Sequence, residues 1–349
     1  MPNNSEIAAM PRVAMVLGDP AGIGPELIAK LLAWDAVTEH GDIFLVGDRD
    51  EVAQGAEIAG VALDVEEVDS FDTDDDTPQR GTGRIRLLHH ALPDRTGFAR
   101  ATATAEGGRY SLQTLEIVLD LARSGRADSI CFAPLNKEAM HRAGIGFDDE
   151  LHWFADRLGH DGYVCEFNVM KDLWSSRVTS HVALRDIFDL ITEDRIKQSI
   201  RLIHGALRQA GLSRPRIAVA AINPHGGDGG AFGREEIDII APAVEQARQE
   251  QIDVSGPYPA DTLFIKAFDG AFDGVVTMYH DQGQIALKVT GFEDGVTVQG
   301  GLPIPITTPA HGTAFDIVGQ GSANLEPMRQ AFLLACRMGR SRSESAGAT

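Results

Sequence analysis

Ile217-Ala218-Val219-Ala220-Ala221-Ile222-Asn223-Pro224-His225-Gly226-Gly227-Asp228-Gly229-Gly230 is an apolar run that breaks into a polar, glycine-rich turn, with a helical pattern following from Arg234 to about Gln249. A short apolar run bounded by turn residues reads as a buried strand. Strand, glycine-rich turn and helix together form the unit from which α/β proteins with largely parallel sheets are built. The turn also holds a histidine, placed to reach a ligand or a metal.

The same arrangement recurs. Val275 to Tyr279 reads as a strand that ends in His280-Asp281-Gln282-Gly283, and Arg177 to Ser180 reads as a strand leading into His181. In an open α/β sheet the ligand crevice lies outside the carboxyl ends of the strands, so His181, His225 and His280 could converge there. Neutral imidazoles suit Zn²⁺, Co²⁺, Ni²⁺ or Fe²⁺, and three protein ligands leave a position open for substrate. A strand-end histidine can equally be a hydrogen-bonded turn residue, and Asn223, Asp228, Asp281 and Gln282 also favour turns. Locally, both roles stay open.

Outward from these turns the alternation continues. Arg12 to Leu17 is a strand, Gly18-Asp19-Pro20-Ala21-Gly22-Ile23-Gly24-Pro25-Glu26 a glycine-rich loop, and Leu27, Ile28, Leu31 and Leu32 open a helix with Pro25 in its first turn. Strands are expected at Ile43 to Val46 and Ser129 to Ala133, and helices at Thr104 to Ala122, Ile191 to Ala210 and Asp261 to Ala267. Leu151, Phe154, Ala155 and Leu158 would share one helix face. Asp72 to Arg84 reads as an exposed acidic loop, and the Ser- and Arg-rich tail from Arg340 as disordered.

The chain has 349 residues and a formal charge of -20. That charge repels phosphate backbones and anionic lipid, so nucleic acid and membrane surfaces are excluded as expected partners. Cys131, Cys165 and Cys336 are widely spaced, which speaks against a disulfide framework. The first eleven residues lack a signal peptide's basic start and apolar core, so a cytoplasmic location is expected.

Further candidates surround the histidines. The loop from Gly18 to Glu26 could hold an anion at a helix N-terminus, although it matches neither a P-loop nor GxGxxG. Lys288, eight residues beyond His280, could donate a proton or hold a carboxylate. Asp261 is by default a helix cap, or else a carboxylate that orients an imidazole. His311-Gly312-Thr313-Ala314-Phe315-Asp316-Ile317-Val318-Gly319, with Asn324 thirteen residues past the histidine, resembles the adenosine-binding loop of the isocitrate and isopropylmalate dehydrogenases. By that resemblance His311, Gly312, Thr313, Asp316 and Asn324 would bind the cofactor. The Asp316 carboxylate would repel a 2′-phosphate, favouring NAD over NADP. Phe315 stands where those families have proline.

Together with Pro134-Leu135-Asn136-Lys137, Asn223-Pro224-His225, Pro259-Ala260-Asp261-Thr262-Leu263-Phe264, Tyr279-His280-Asp281-Gln282-Gly283 and His311-Gly312-Thr313-Ala314, the loop at 18 to 26 makes the chain resemble the 4-hydroxythreonine-4-phosphate dehydrogenase family from about Val13 to Asn324. The resemblance implies a two-lobed α/β fold like that of isocitrate and isopropylmalate dehydrogenases, with largely parallel sheets and the active site between lobes. Residues 1–132 with 285–349 would bind the cofactor, and 133–284 the metal and substrate. It further implies a homodimer with an interface active site and a divalent metal (Zn, Co, Mn, Mg or Ni) on His181, His225 and His280, with ligands drawn from both subunits. Lys288 would touch substrate. The reaction would be NAD-dependent oxidation of a secondary alcohol β to a carboxylate, followed by decarboxylation.

Three positions depart from the family pattern. His152-Trp153 stands for a His-Thr phosphate contact, Thr297 for an asparagine and Ile306 for an arginine. Losing these donors weakens the hold on a phosphate dianion. Two substrates are therefore expected alternatives, a 4-phosphohydroxythreonine type and an unphosphorylated cis-dihydrodiol carboxylate of the terephthalate type. A metal-dependent hydrolase is the alternative from a different class, although it leaves the loop from His311 to Asn324 without a role.

Overall fold

The computed structural model describes residues 10–71, 83–93, 98–291 and 294–347. Of the segment read as an acidic loop, Asp72 to Thr82 lie outside the described residues and only Gly83 and Arg84 within them; the start of the chain up to Ala9 also lies outside. Two compact units make up the chain: Met1–Leu158 with Pro303–Thr349, and Gly159–Leu302.

The first unit begins with β1 (Arg12–Val16), α1 (Gly24–Leu32), the single turn α2 (Val37–His40), β2 (Asp42–Gly47), α3 (Arg49–Ala59), β3 (Glu66–Val68), β4 (Ile85–His89), α4 (Ala105–Arg123), β5 (Ser129–Phe132), α5 (Lys137–Arg142) and α6 (Glu150–Arg157). Val13 to Val16 and Ile43 to Val46 are fully buried, as expected of parallel strands covered on both faces. Four helix starts in this unit have a chemical reason. Thr104, Asn136 and Asp149 accept the backbone N–H of Gly107, Ala139 and His152, while α1 has Pro25 in its first turn.

The second unit comprises β6 (Cys165–Met170), β7 (Leu173–Arg177), α7 (Glu193–Gln209), β8 (Ile217–Ala220), α8 (Ala241–Gln249), β9 (Val254–Tyr258), α9 (Ala260–Phe268), β10 (Gly274–Thr277), α10 (His280–Val289) and β11 (Val296–Gly300). Its strands run in the order β11-β6-β7-β10-β8-β9. β6 is antiparallel to both neighbours, whereas β7, β10, β8 and β9 are parallel. The helix expected from Arg234 opens instead with a π-turn over Glu236–Ile240. Asp261 is not the cap of α9: Pro259 holds that position and Asp261 lies in the first turn.

The chain then returns to the first unit through β12 (Ile306–Pro309) and α11 (Glu326–Gly347), completing an all-parallel order β3-β4-β2-β1-β5-β12. The tail from Arg340, expected to be disordered, continues α11 as far as Gly347. Buried Met328, Phe332, Ala335 and Met338 seat the helix, and the Arg342 guanidinium donates to the carbonyls of Ala122, Ala127 and Asp128, which holds its last turns. The unit boundaries fall at 158/159 and 302/303. α5 packs on α4, and α10 packs on β7 and β10. No helix among the described residues is long and apolar enough to cross a membrane.

Candidate active site

In the first unit, the loops that leave the carboxyl ends of the adjacent parallel strands β1, β5 and β12 meet. Gly18 has φ +70°, and a Cβ there would stand 2.3 Å from the Ala133 carbonyl oxygen, so only glycine fits. Asp19 N–H donates to the Pro134 carbonyl at 3.0 Å, and Ile23 N–H to the Thr313 carbonyl at 3.1 Å. Asn136 Nδ2 lies 3.4 Å from Thr313 Oγ1. The loops at 18–24, 134–137 and 311–313 thus form one edge, the place where open α/β sheets bind ligands.

Within that edge Asp19 is 1% exposed. Its Oδ1 accepts the Ala21 N–H at 2.9 Å, while its buried Oδ2 has no partner among the described residues. Burial pushes its carboxyl up to about 6, against the opposing pull of the Ala21 N–H and the Arg100 guanidinium. Of the expected cofactor residues, Thr313 is buried, His311 half-buried, and Gly312, Asp316 and Asn324 exposed.

The expected substrate residues of this unit are placed less favourably. Trp153 is 2% exposed, edge-on to Phe154, with the Arg157 guanidinium 5.6 Å over its ring. Ile306 is fully buried in β12 beside Ile130. Core packing therefore accounts for both apolar side chains, and neither offers a free face for a ligand. His152 is exposed, with Nδ1 2.6 Å from Asp149 Oδ1. Burial works against the Asp149 charge, yet the two His152 contacts and Lys137 hold its carboxyl below the usual range.

In the second unit the three histidines follow the ends of the adjacent parallel strands β7, β10 and β8. Thr179 Oγ1 donates to the Met278 carbonyl at 2.8 Å, joining the ends of β7 and β10. Gln282 braces β10 against β8, accepting the Met278 N–H at 2.7 Å and donating to the Ala221 carbonyl at 2.6 Å. His181 and His280 line one cavity of about 280 Å³ with Thr179, Ser180, Leu184 and Tyr279. Their ring centroids are 5.7 Å apart. His280 Nδ1 lies 2.7 Å from Asp281 Oδ1, a contact that fixes the ring and leaves Nε2 for a ligand.

His225 is exposed and does not line that cavity, and among the described residues no three His, Cys, Asp or Glu side chains are close enough to hold a metal ion. The structure thus brings His181 and His280 to one cavity and leaves His225 outside its lining. The pair suits a divalent cation, since two imidazoles face one cavity and one of them has a carboxylate behind it. His181 and His225 both adopt left-handed backbone, with φ of 51° and 55°. Such strain in bulky residues tends to gather at functional sites.

The turn that holds His225 is anchored by a residue the motif reading misses. From His225 to Gly229 every residue has left-handed dihedrals. Glu236, 3% exposed, accepts the N–H groups of Ile222 at 2.8 Å and Asn223 at 2.7 Å, and the Asn223 side-chain amide at 2.9 Å. Burial opposes its charge, but these donors outweigh it and lower its pKa. Arg177, also buried, reaches Asn168 Oδ1 at 3.0 Å, Glu166 Oε2 at 2.9 Å and Ser180 Oγ at 2.9 Å, which fixes the approach to His181.

Lys288 is exposed near the end of α10, eight residues or about 12 Å of helix rise from His280. Asp261 is exposed, and Thr297 is half-buried in β11 opposite Asn168.

The family model for the pyridoxal phosphate biosynthetic protein PdxA matches residues 39–335. A Pseudomonas aeruginosa protein provisionally named 4-hydroxythreonine-4-phosphate dehydrogenase 2 is 58% identical over 95% of this chain and 98% of its own. A D-threonate 4-phosphate dehydrogenase of Pectobacterium atrosepticum is 36% identical over 93% of this chain and 98% of its own. Among solved structures, 4-hydroxythreonine-4-phosphate dehydrogenase from Klebsiella pneumoniae superposes with a TM-score of 0.81 at 34% identity, covering 97% of this chain and 100% of that one. A terephthalate 1,2-cis-dihydrodiol dehydrogenase from Burkholderia xenovorans is more distant, with a TM-score of 0.64 at 27% identity over 92% of this chain and 98% of that one. The dihydrodiol enzyme, whose substrate type is one of the two expected alternatives, is thus the less similar of these two structures. An α/β chain of two units whose relatives are dehydrogenases, matched by the family model over most of its length, belongs to the PdxA family.

Proposed function

We propose that the protein is an NAD-dependent, divalent-metal-dependent dehydrogenase that oxidises a secondary alcohol β to the carboxylate of a phosphorylated hydroxy acid, the keto acid then losing CO₂. The observation that carries this reading is the His181–His280 pair on one cavity wall, with Asp281 behind His280, in a PdxA-family chain. When bound, NAD accepts the hydride and the cation acts as a Lewis acid toward the substrate oxygens.

The chain's own residues have separate tasks. His181 and His280 offer imidazole nitrogens, and His225 is the proposed third donor. Asp281 orients His280. The loops at 18–24 and 311–324 would receive the dinucleotide, with Asp316 facing the ribose hydroxyls. Lys288 is the proposed substrate contact and proton donor, while Asp261, His152 and Thr297 are lesser candidates. Trp153 and Ile306 act by packing.

A homodimer is part of the same proposal. Among the described residues the large apolar side chains that stand exposed all belong to the second unit: Val182, Leu184, Phe188, Phe232, Ile237, Ile265, Ile285 and Val289. Several flank His181, His225 and His280 in sequence. That pattern supports an interface around the metal site, from which a second copy could supply His225 or Lys288.

An unphosphorylated diol carboxylate is a second reading, supported by Val182, Leu184 and Ile187 in the cavity lining. A panel of phosphorylated and unphosphorylated hydroxy acids and diol carboxylates, with NAD and Zn²⁺, Mn²⁺ or Co²⁺, tests both by NADH absorbance. Turnover of 4-phosphohydroxythreonine or D-threonate 4-phosphate is the expected result. Turnover of diol carboxylates alone would select the second reading, and no NAD binding at millimolar concentration would sink both in favour of a hydrolase.

A further inference from the structure

Glu26 and Lys30 stand four residues apart on α1. Glu26 is 2% exposed, and the Lys30 side chain 19%. An ammonium has three N–H donors. Lys30 Nζ spends them on Glu26 Oε1 at 2.8 Å, the Gly321 carbonyl at 2.9 Å and the Ala323 carbonyl at 2.8 Å. Glu26 Oε1 also accepts the Ala323 N–H at 2.8 Å. The donors of this lysine are therefore engaged by the protein itself, which leaves it poorly suited to hold a substrate.

These four bonds seat the far end of the loop that begins at His311. Behind the loop, Gly321 has φ +68°, and a Cβ there would lie 2.7 Å from the Ile58 carbonyl oxygen, so the backbone rests directly on α3. The near end is held by the turn that precedes the same helix α1. Ile23 N–H donates to the Thr313 carbonyl at 3.1 Å, and a Cβ on Gly22 would meet the Thr313 Cβ at 2.7 Å. One helix and its leading turn thus grip both ends of the segment, and Asn324 directly follows the clamped residues.

We infer that Lys30 and Glu26 are positioning residues for the dinucleotide: they fix the shape of the loop at 311–324, and cofactor affinity depends on them although neither touches the cofactor. The inference rests on the NAD reading above.

The test uses the full chain with Lys30→Met, Lys30→Arg and Glu26→Gln. Binding of NAD and of ADP-ribose is measured by calorimetry, binding of Co²⁺ by its absorption, and amide exchange by mass spectrometry. Removing a buried charged donor leaves carbonyls unpaired, and Lys30→Met is expected to weaken NAD and ADP-ribose by about tenfold or more. Exchange over 319–324 should quicken, while Co²⁺ affinity stays unchanged. Lys30→Arg, which keeps charge and donors, should retain more affinity than Lys30→Met, and Glu26→Gln should shift affinity in the same direction by less. Should Lys30→Met not fold, Glu26→Gln carries the expectation. Wild-type affinity in these variants, or equal loss in the Met and Arg variants, would overturn the inference alone. Absence of NAD and ADP-ribose binding to the wild type would overturn the NAD reading and this inference with it.

Discussion

The imidazole of His181 lies 5.7 Å from that of His280, ring centre to ring centre, with 43° between their planes. Two separate strand ends, joined by the Thr179 contact to Met278, set that spacing. Asp281→Asn should weaken Co²⁺ binding by about 10- to 100-fold by loosening the His280 ring, and His280→Ala should abolish it. Cobalt titration followed by absorption checks this, and unchanged affinity in His280→Ala would refute the metal assignment.

Asp316 provides a test of cofactor choice. Its exposed carboxylate would face the ribose 2′ position, where a second phosphate is repelled. Asp316→Asn should narrow the preference for NAD over NADP by about tenfold, mainly by improving NADP, as a charge repulsion of about 1.4 kcal/mol is relieved. The ratio of kcat/KM for the two cofactors measures it.

Asp19 should shape the pH dependence of stability. Its folded pKa of about 6 stands above the ordinary 3.8, so the folded chain holds this proton more tightly than the unfolded one. The sign follows: stability from this group is full below about pH 4 and is lost as pH rises through about 6, a change of about 3 kcal/mol. Asp19→Asn removes the buried charge but leaves a buried N–H without a partner. It should be more stable than wild type by about 1–2 kcal/mol at pH 8, with the gap closing below pH 4, as read from urea unfolding.

Glu236 anchors the left-handed turn through three N–H contacts. Glu236→Ala should destabilise the protein by about 2–4 kcal/mol, and Glu236→Gln by less, because the amide keeps one acceptor. Exchange rates for 222–230 should rise in both. Unchanged exchange would mean that the turn holds its shape without the carboxylate.

The three cysteines are buried and free. Burial pushes the Cys131 thiol up to about 12 and raises Cys165 and Cys336 as well. A thiol reagent at pH 8 should therefore label none of them in the folded protein and all three in urea.

Much of this is legible in the chain itself. Apolar runs that end in turn or polar residues mark β1, β5, β8 and β10, and the motifs at their ends mark the candidate ligands. The spacing of Leu151, Phe154 and Ala155 finds α6, but a helix of eight residues buried over a wide arc also hides Trp153, which no periodicity foretells. The antiparallel β6 carries no signal that separates it from a parallel strand. Glu26 with Lys30 looks like a solvent-exposed pair because its partners, Gly321 and Ala323, are almost three hundred residues away. The π-turn that begins at Glu236 has no counterpart in the helical spacing, and the Glu236 carboxylate that faces inward from it pairs with Ile222 and Asn223, residues the local pattern does not connect to it.

The left-handed backbone at His181 and His225 sets stability against function. Glycine would adopt those dihedrals without strain, so His181→Gly and His225→Gly have a route to a more heat-resistant protein that has lost two of its proposed ligands. A screen of random variants for thermal tolerance alone would then drift toward erasing the site, and only a screen that also demands turnover would keep these two histidines.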